Sequence, residues 1–183
     1  MRFNEHLGLE GKHSFLSPSQ HHWLRYSDEK LIDRFNKSNA AKRGSELHEL
    51  AAKCITMGVK LRGSNTLALY VNDAIGFRMT PEQPLYYSEF CFGTADAIAF
   101  RKNSLRIHDL KTGTTPASME QLEIYAAIFC LEYQIKPGDI KMELRIYQDN
   151  KAVCFKPSVA DILPIMDQIV YFDKLLHSVA NEM

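Results

Sequence analysis

The chain has 183 residues, a length that fits one domain, and 45% of them are apolar, enough for a substantial core. Its 22 lysines and arginines balance its 22 aspartates and glutamates. This balance argues against a general polyanion-binding protein, so any charge that binds nucleic acid must be gathered locally. No segment approaches the roughly 20 apolar residues of a membrane span and no apolar leader follows the N-terminus, so we expect a cytoplasmic protein without membrane contact.

The four cysteines are far apart in the sequence, at Cys54, Cys91, Cys130 and Cys154. Zinc and haem motifs need cysteines within a few residues of one another, and this spacing does not provide them. Each cysteine lies in an apolar stretch, where a free thiol behaves as a small hydrophobic side chain. We therefore predict four reduced, buried thiols.

Helical patterns fill the first part of the chain. The Ser-Pro pair at Ser17 is typical of a helix start and predicts a short helix that ends near residue 26. A second helix is predicted over residues 39–57, where apolar positions follow helical spacing before Gly58. A third helix is predicted over residues 65–77.

Strand patterns dominate the second part: residues 85–92, 94–100, 105–110, 140–147 and 152–155. Tight turns are predicted at Lys102-Asn103 and Asp149-Asn150. An apolar helix is expected from Thr115-Pro116 up to the break at Pro137-Gly138, and Ser158 caps a last helix. This order predicts an α/β fold with a mixed sheet flanked by helices, in a single domain over residues 1–183.

Two carboxylates are predicted to face each other at the end of the central hairpin. With the turn at Lys102-Asn103, Asp96 lies opposite Asp109, and such partners have Cβ atoms about 5 Å apart. Lys111 follows Asp109 by two residues, so its side chain emerges on the same face. Adjacent carboxylates require that one be protonated, that a lysine bridge them, or that a divalent cation lie between them. The alternative is an ordinary Lys–Asp surface cluster, and a one-residue slip would move Asp96 to the other face.

Further polar residues and glycines accompany this pair. Gly93 precedes Asp96 and Gly113 follows Lys111, so the backbone can approach a ligand closely at both places. Small residues at positions 95, 97 and 99 leave room on the opposite face for the apolar helix. Two helical pairs, His48-Glu49 and Gln121 with Tyr125, are ordinary solvated side chains when each is taken alone.

Together these residues resemble the PD-(D/E)XK nuclease superfamily, and within it the RecB-like and phage exonuclease branch. The resemblance covers residues 14–156 and rests on four motifs in order: Gly44-x-x-x-His48-Glu49, Gly93-Thr94-Ala95-Asp96, Asp109-Leu110-Lys111-Thr112-Gly113 and Gln121-x-x-x-Tyr125. It implies a restriction-endonuclease-like core, with a central mixed β-sheet flanked by helices. It also implies a DNA nuclease whose catalytic residues are Asp96, Asp109 and Lys111.

The resemblance further implies how the site is built. The metal would be held by four groups: His48, Asp96, Asp109 and the backbone carbonyl of Leu110. Lys111 would position or activate the attacking water. Contacts to DNA, or bracing of the site, are expected from Gln121, Tyr125, Thr112, Lys42 and Arg43. Two acidic residues, Glu49 and Glu89, are candidates for groups that support the ligands.

The expected metal is Mg²⁺, because carboxylate and carbonyl oxygens suit it, and the imidazole of His48 suits Mn²⁺ as a substitute. No iron–sulfur cluster is expected, because the chain lacks the three clustered C-terminal cysteines of the relatives that hold one. The expected function is exonucleolytic hydrolysis of phosphodiester bonds from DNA ends in recombination, repair or phage DNA processing.

The resemblance places such an enzyme in the cytoplasm of a bacterium or a phage-infected host cell. Its expected partners are DNA and either a second copy of the chain or a recombination, annealing or helicase protein. Three alternatives stay open at this point. The fold can serve as a catalytically inactive DNA-binding or assembly module, as an endonuclease, or as a phosphodiesterase directed at RNA.

Overall fold

The computed structural model describes residues 14–181, and these divide into two compact units that meet in sequence between Arg43 and Gly44. The first unit holds a 3-10 helix, Pro18–Arg25, and the beginning of helix α1, Asp28–Met57. The second unit holds the rest of α1 and the remaining elements: α2 (Thr66–Gly76), β1 (Thr80–Ser88), β2 (Cys91–Arg101), β3 (Ser104–Leu110), α3 (Glu120–Glu132), a 3-10 turn (Pro137–Asp139), β4 (Lys141–Gln148), β5 (Lys151–Phe155) and α4 (Val159–Ala180). Over the described residues, no helix combines the length and apolarity that crossing a bilayer requires.

The five strands form one mixed sheet in the order β1-β2-β3-β4-β5. Neighbouring strands are antiparallel except β3 and β4, which are parallel and are connected through α3. The predicted turns are confirmed, since Lys102 and Asn103 have φ of 49° and 55°, and Asp149 and Asn150 have φ of 50° and 59°. The α/β class and the mixed sheet flanked by helices are therefore as the sequence predicts.

Two apolar clusters cover the two faces of the sheet. In β4, Ile146 belongs to the cluster formed with α3 and α4, whereas the next residue, Tyr147, belongs to the cluster formed with α1 and α2. Alternate residues of a strand point to opposite faces of the sheet. Helices α3 and α4 therefore cover one face, and α2 and the second-unit part of α1 cover the other. The sheet is thus buried on both sides, which places the ends of β2 and β3 between helices.

The prediction that Ala95, Ala97 and Ala99 share one face under the apolar helix is wrong. Ala95 is buried in the cluster with α3, whereas Ala97 is buried in the cluster with α1 and α2, and Ala99 packs against it. The regular alternation is interrupted at Asp96, which lies between the two alanines. The irregularity falls at the predicted site, so it also determines where the Asp96 carboxylate lies.

Helix boundaries differ from the predictions in two places. Helix α1 begins at Asp28, eleven residues before the predicted start, and none of its residues 28–38 is fully buried. This stretch instead has Asp28 and Glu29 in its first turn and a 2.8 Å ion pair between Lys37 and Asp33. Helix α3 is shorter than predicted at both ends.

The early part of the predicted α3 helix is not helical, and one backbone carbonyl there and one just before it are bonded to a side chain of β4. Nε2 of Gln148 donates to the carbonyl oxygens of Gly113 and Thr115, at 2.6 Å and 2.8 Å. At the other end, Gln134 has φ of 55°, a left-handed conformation that stops the helix before Pro137 is reached.

The thiol prediction is partly confirmed. Cys54 and Cys130 are buried and all four cysteines are free, but Cys91 is half-buried and Cys154 is exposed. Cys154 lies on the edge strand β5, where only Phe155 has lost much of its exposure. A short apolar run in an edge strand therefore does not guarantee burial.

Candidate metal centre and active site

The β2–β3 hairpin has the predicted register up to the pair Ala97–His108, including Ile98 opposite Ile107. The next predicted pair, Asp96 with Asp109, is not part of the ladder. Instead Oδ2 of Asp96 accepts a hydrogen bond from the backbone N–H of Leu110 at 2.8 Å. The carboxylate of Asp96 therefore occupies the place of a ladder partner, and its position is fixed by the backbone of β3.

Helix α1 brings His48 to the same carboxylate. Nδ1 of His48 lies 3.4 Å from Oδ2 of Asp96, and both side chains are largely buried, with 30% and 15% of their surfaces exposed. The contact with Asp96 raises the pKa of His48 above its ordinary value, and burial opposes this effect only in part. His48 and Asp96 thus form a charge-assisted pair when no cation is bound.

A third candidate ligand, Glu82, was not found by sequence reasoning. Ligand atoms of His48, Glu82 and Asp96 all lie within 4.8 Å of one another. Glu82 belongs to β1, between the strand pairs Pro81–Ala97 and Gln83–Ala95, so it stands across from Asp96. Burial and the negative charge of Asp96 both raise the pKa of Glu82.

Glu82 also has an unusual backbone. Its φ is 48°, in the left-handed region that a non-glycine residue enters at a cost of about 1–2 kcal/mol. Such conformations persist where surrounding structure enforces them, and they concentrate at functional sites. Here the flanking strand pairs hold the backbone of Glu82 in a conformation that directs its carboxylate toward His48 and Asp96.

Asp109 and Lys111 form the other half of the site. Asp109 is 3% exposed, and Nζ of Lys111 lies 3.1 Å from its Oδ1 and 3.0 Å from its Oδ2. Burial, followed by the charge of Asp96, raises the pKa of Asp109 although Lys111 lowers it. The ammonium of Lys111 contacts both oxygens of this buried carboxylate.

The residues from α3 hold the site from one side. Oε1 of Gln121 accepts a hydrogen bond from Nζ of Lys111 at 2.8 Å. The ring of Tyr125 lies against Gly93, where an added Cβ would be 3.0 Å from Cε1 of the ring. Gln121 therefore fixes the ammonium of Lys111, and Tyr125 explains why residue 93 is a glycine.

A second glycine contact connects α1 with the segment after β3. A Cβ at Gly44 would lie 2.9 Å from Oγ1 of Thr112, a distance that a side chain cannot occupy without movement. Thr112 follows Lys111 directly, so the glycine allows this segment to approach α1. The glycines of two motifs are thus required by neighbouring side chains of two other motifs.

The two acids predicted to support the ligands make other contacts. Oε1 of Glu49 accepts a hydrogen bond from Lys53 at 2.6 Å on an exposed helix surface, and Oε1 of Glu89 lies 3.8 Å from Nδ1 of His177. Neither acid belongs to the cluster around Asp96. Lys42 and Arg43 are exposed residues of the first unit, and the supporting carboxylate in the cluster is Glu82 instead.

The backbone of Lys111 is supported by β4. Its N–H donates to the carbonyl oxygen of Tyr147 at 2.9 Å, and the Tyr147 hydroxyl donates to Oδ2 of Asp73 at 2.7 Å. Nδ1 of His108 lies 3.2 Å from the same hydroxyl, and burial lowers the pKa of His108 to about 3. A neutral histidine, a tyrosine and a partly exposed Asp73–Arg145 ion pair therefore form a polar network behind the site.

A cavity of about 290 Å³ adjoins Lys111. Its wall includes the apolar side chains of Leu47 and Leu67 and the polar groups of Thr66 and Asn150. The N–H of Thr66 donates to Oδ1 of Asn150 at 2.9 Å, which ties the start of α2 to the β4–β5 turn. This cavity provides space for a substrate next to the lysine.

Comparison of the chain with models of protein families, with curated proteins and with solved structures finds no match in any of the three. The functional argument therefore depends on the geometry of the site and on the motif resemblance.

Proposed function

We propose that the chain is a divalent-metal-dependent DNA nuclease with a restriction-endonuclease-like core, which hydrolyses phosphodiester bonds from DNA ends. The observation that carries this proposal is the convergence of three ligand-type side chains, His48, Glu82 and Asp96, within 4.8 Å. Leu110, whose backbone bonds to Asp96, is followed directly by Lys111, and the ammonium of Lys111 is held between Asp109 and Gln121. A metal site activates water, and a fixed cation beside it stabilises the negative charge that builds up on a phosphodiester during hydrolysis.

The donor set fits a divalent cation. Carboxylate oxygens suit Mg²⁺, and the imidazole nitrogen suits Mn²⁺. The closeness of Glu82 and Asp96 is unfavourable for two anions, as the raised pKa of Glu82 indicates, and a bound cation would remove this repulsion. Asp109, a buried carboxylate whose pKa is raised by burial and by the charge of Asp96, is a further acceptor for the hydration shell of such an ion.

Each residue has a distinct role in this proposal. A divalent cation, when bound, would lower the pKa of a water molecule and neutralise charge on the scissile phosphate. His48, Glu82 and Asp96 would hold it, with Asp109 as a further ligand. Lys111 offers a positive charge and a donor for the attacking water or the phosphate, and Gln121 keeps that ammonium in place.

The motif resemblance supports DNA ends as the substrate. In the resembling branch the Gln121-x-x-x-Tyr125 signature accompanies end-processing enzymes. The cavity beside Lys111 would accommodate the nucleotide that flanks the bond to be cut. Its threonine and asparagine groups, Thr66 and Asn150, offer hydrogen bonds to a sugar–phosphate backbone.

The test is incubation of the full chain with end-labelled linear DNA and with RNA, in Mg²⁺ and in chelator. We expect Mg²⁺-dependent loss of DNA, abolished in Lys111→Met and retained in Lys141→Met, which changes an exposed lysine of β4. Binding of DNA without cleavage in any divalent metal would show an inactive binding module instead. Cleavage of RNA alone would show an RNA phosphodiesterase.

A further inference from the structure

The neutral net charge conceals an uneven distribution along the chain. Residues 14–43, the described part of the first unit, contain six lysines and arginines and three aspartates and glutamates. Residues 44–181 contain fourteen basic and sixteen acidic residues. The unit that carries the candidate metal centre is therefore slightly acidic, and the excess positive charge lies in the short N-terminal unit.

This basic unit has a cavity of its own, with a volume of about 540 Å³. That size falls within the range of small-molecule and cofactor sites. Three aromatic residues, Phe15, Trp23 and Tyr26, line it together with two cationic residues, Arg34 and Lys37. Aromatic rings beside cations are the combination that binds unpaired nucleotides, since bases stack on the rings and phosphates pair with the cations.

The aromatic wall is positioned by contacts inside the unit. Nε1 of Trp23 donates to the carbonyl oxygen of Ser17 at 3.0 Å, which satisfies the only polar atom of the indole. Phe15 packs edge-on against Phe35 with ring centroids 5.3 Å apart, and Nζ of Lys30 lies 4.6 Å from the centre of the Tyr26 ring. Trp23 and Tyr26 are each only half-buried, so their rings keep surface available to a ligand.

The cationic wall is open to solvent. Arg34 is exposed, and Lys37 is paired with Asp33 at 2.8 Å in an exposed ion pair, which a phosphate can replace at small cost. Gln20 also lines the cavity and offers an amide to a base edge or a sugar. An apolar ligand would make no favourable contact with the two cations, and a small inorganic anion would make none with the three rings. A ligand that has both an aromatic base and a phosphate matches both groups.

From these observations we propose that this cavity binds an unpaired nucleotide of a single strand, with its base against Trp23 and Tyr26 and its phosphate at Arg34. Duplex DNA keeps its bases stacked inside the helix, so a base must be unpaired to enter. The inference rests on the proposed function in taking DNA as the natural ligand, but binding at this cavity requires neither the metal nor cleavage.

The experiment uses the fluorescence of Trp23, which is the one tryptophan of the chain. The full chain in chelator is titrated with oligothymidylate of about 12 nucleotides, with the same oligomer lacking its bases, with oligouridylate, and with blunt duplex. We expect saturable quenching by oligothymidylate, binding of the abasic oligomer at least about tenfold weaker, and no quenching by the duplex. Quenching by oligouridylate would support the same cavity without selection for the sugar.

Variants separate a base contact from a structural effect. Tyr26→Leu should weaken binding of labelled oligothymidylate about tenfold by anisotropy, with an unchanged melting temperature, whereas Tyr171→Leu changes an equally polar but unrelated exposed ring and should have no effect. Arg34→Gln should reduce the slope of log affinity against log salt by about 0.7, the value for one phosphate contact on a single strand. Arg101→Gln is the matched control.

Two outcomes would overturn the inference: no quenching by oligothymidylate, or equal binding of the abasic oligomer. Because titration takes place in chelator, its result is independent of the cleavage assay. Cleavage without quenching would leave the nuclease proposal standing and remove the cavity. Quenching without cleavage in any metal would leave the cavity proposal standing and remove the nuclease proposal.

Discussion

The ring of Tyr125 in α3 fills the space that a side chain at Gly93 in β2 would occupy, with only 3.0 Å between Cε1 and the position of an added Cβ. The two residues come from separate motifs, and their contact holds α3 against the strand that carries Asp96. This contact leads to a prediction that does not depend on any ligand.

Gly93→Ala should lower the free energy of unfolding by about 1–3 kcal/mol, because the ring or the strand must shift to admit the methyl group. The loss should shrink in a Tyr125→Leu background, where the ring is absent, and a double-mutant cycle of chemical denaturation measures this coupling. Gly76→Ala is the control, since nothing lies within 4 Å of its added Cβ. Strictly additive effects at positions 93 and 125 would show that the contact is unimportant.

Asp109→Asn should reduce the rate of cleavage at least about a hundredfold. The same substitution should not destabilise the metal-free protein at neutral pH. The raised pKa of Asp109 means that its ionised form is disfavoured in the folded state, so wild-type stability falls as pH rises above the ordinary pKa of an aspartate. The neutral asparagine removes this slope. Thermal melts in chelator across acidic to neutral pH, with an activity assay beside them, measure both effects. A strongly destabilised Asp109→Asn protein would contradict this account.

Glu82→Asn should weaken Mn²⁺ binding at least about tenfold without lowering stability in chelator. Asparagine tolerates the left-handed backbone at this position and removes the repulsion with Asp96. Isothermal titration with Mn²⁺ gives the affinity, and Glu89→Asn, an exposed acid that contacts His177, serves as the control. If Mn²⁺ affinity is the same in Glu82→Asn and in the wild type, Glu82 is not a ligand.

Protonation of His48 should affect two quantities in opposite directions: as pH rises, the stability of the metal-free protein should fall and the affinity for Mn²⁺ should increase. Asp96 raises the pKa of His48, so the charged pair stabilises the metal-free fold below the ordinary value of 6.5, and this stability is lost as pH rises through the folded pKa. Metal binding needs the neutral ring, so Mn²⁺ affinity should rise over the same window.

Melting temperatures and Mn²⁺ titrations from about pH 5.5 to about pH 8.5, in the wild type and in His48→Gln, test this pair of trends. The buried His108 does not interfere, because its pKa is about 3. Identical pH profiles for the two proteins would exclude His48 as the titrating ligand.

Action from DNA ends should be visible in a time course on linear duplex, nicked circles and covalently closed circles with Mg²⁺. We expect progressive loss of the linear DNA while closed circles persist, because these 183 residues carry no net positive charge to hold duplex interiors. Rapid linearisation of closed circles would identify an endonuclease, and it would leave the metal-site assignment unchanged.

The sequence predicts the β2–β3 and β4–β5 hairpins well because their signals are local, whereas the strand predicted over residues 85–92 is wrong, since it runs through the turn between β1 and β2. The left-handed turns at Lys102-Asn103 and Asp149-Asn150 set the two hairpin registers, and apolar alternation marks the strands. The start of α1 could not be predicted, since none of its first eleven residues is fully buried and the Lys37–Asp33 ion pair there is exposed.

The site residues that could be predicted are those that belong to the four motifs, because the order of the motifs identifies residues without knowledge of their distances. Glu82 was missed because Pro81 and Pro84 argue against a strand, whereas β1 is an edge strand and tolerates proline. One signal was available. Extending the β1–β2 hairpin back from its turn near Glu89 places residue 82 opposite Asp96. The exact place of Asp96 depends on a hydrogen bond to Leu110 that no spacing rule encodes.

The hydrogen bond between the Lys111 N–H and the Tyr147 carbonyl has a consequence for protein design. It ties the lysine to a parallel neighbour, β4, that arrives only after the α3 crossover, and Tyr147 is in turn anchored to Asp73 on α2. A transplanted β2–β3 hairpin extended to Lys111 would therefore carry Asp96, Asp109 and the lysine but leave the lysine backbone untethered. Besides β1 with Glu82 and α1 with His48, a portable version of this site must include the crossover, the fourth strand and a helix to receive the tyrosine hydroxyl.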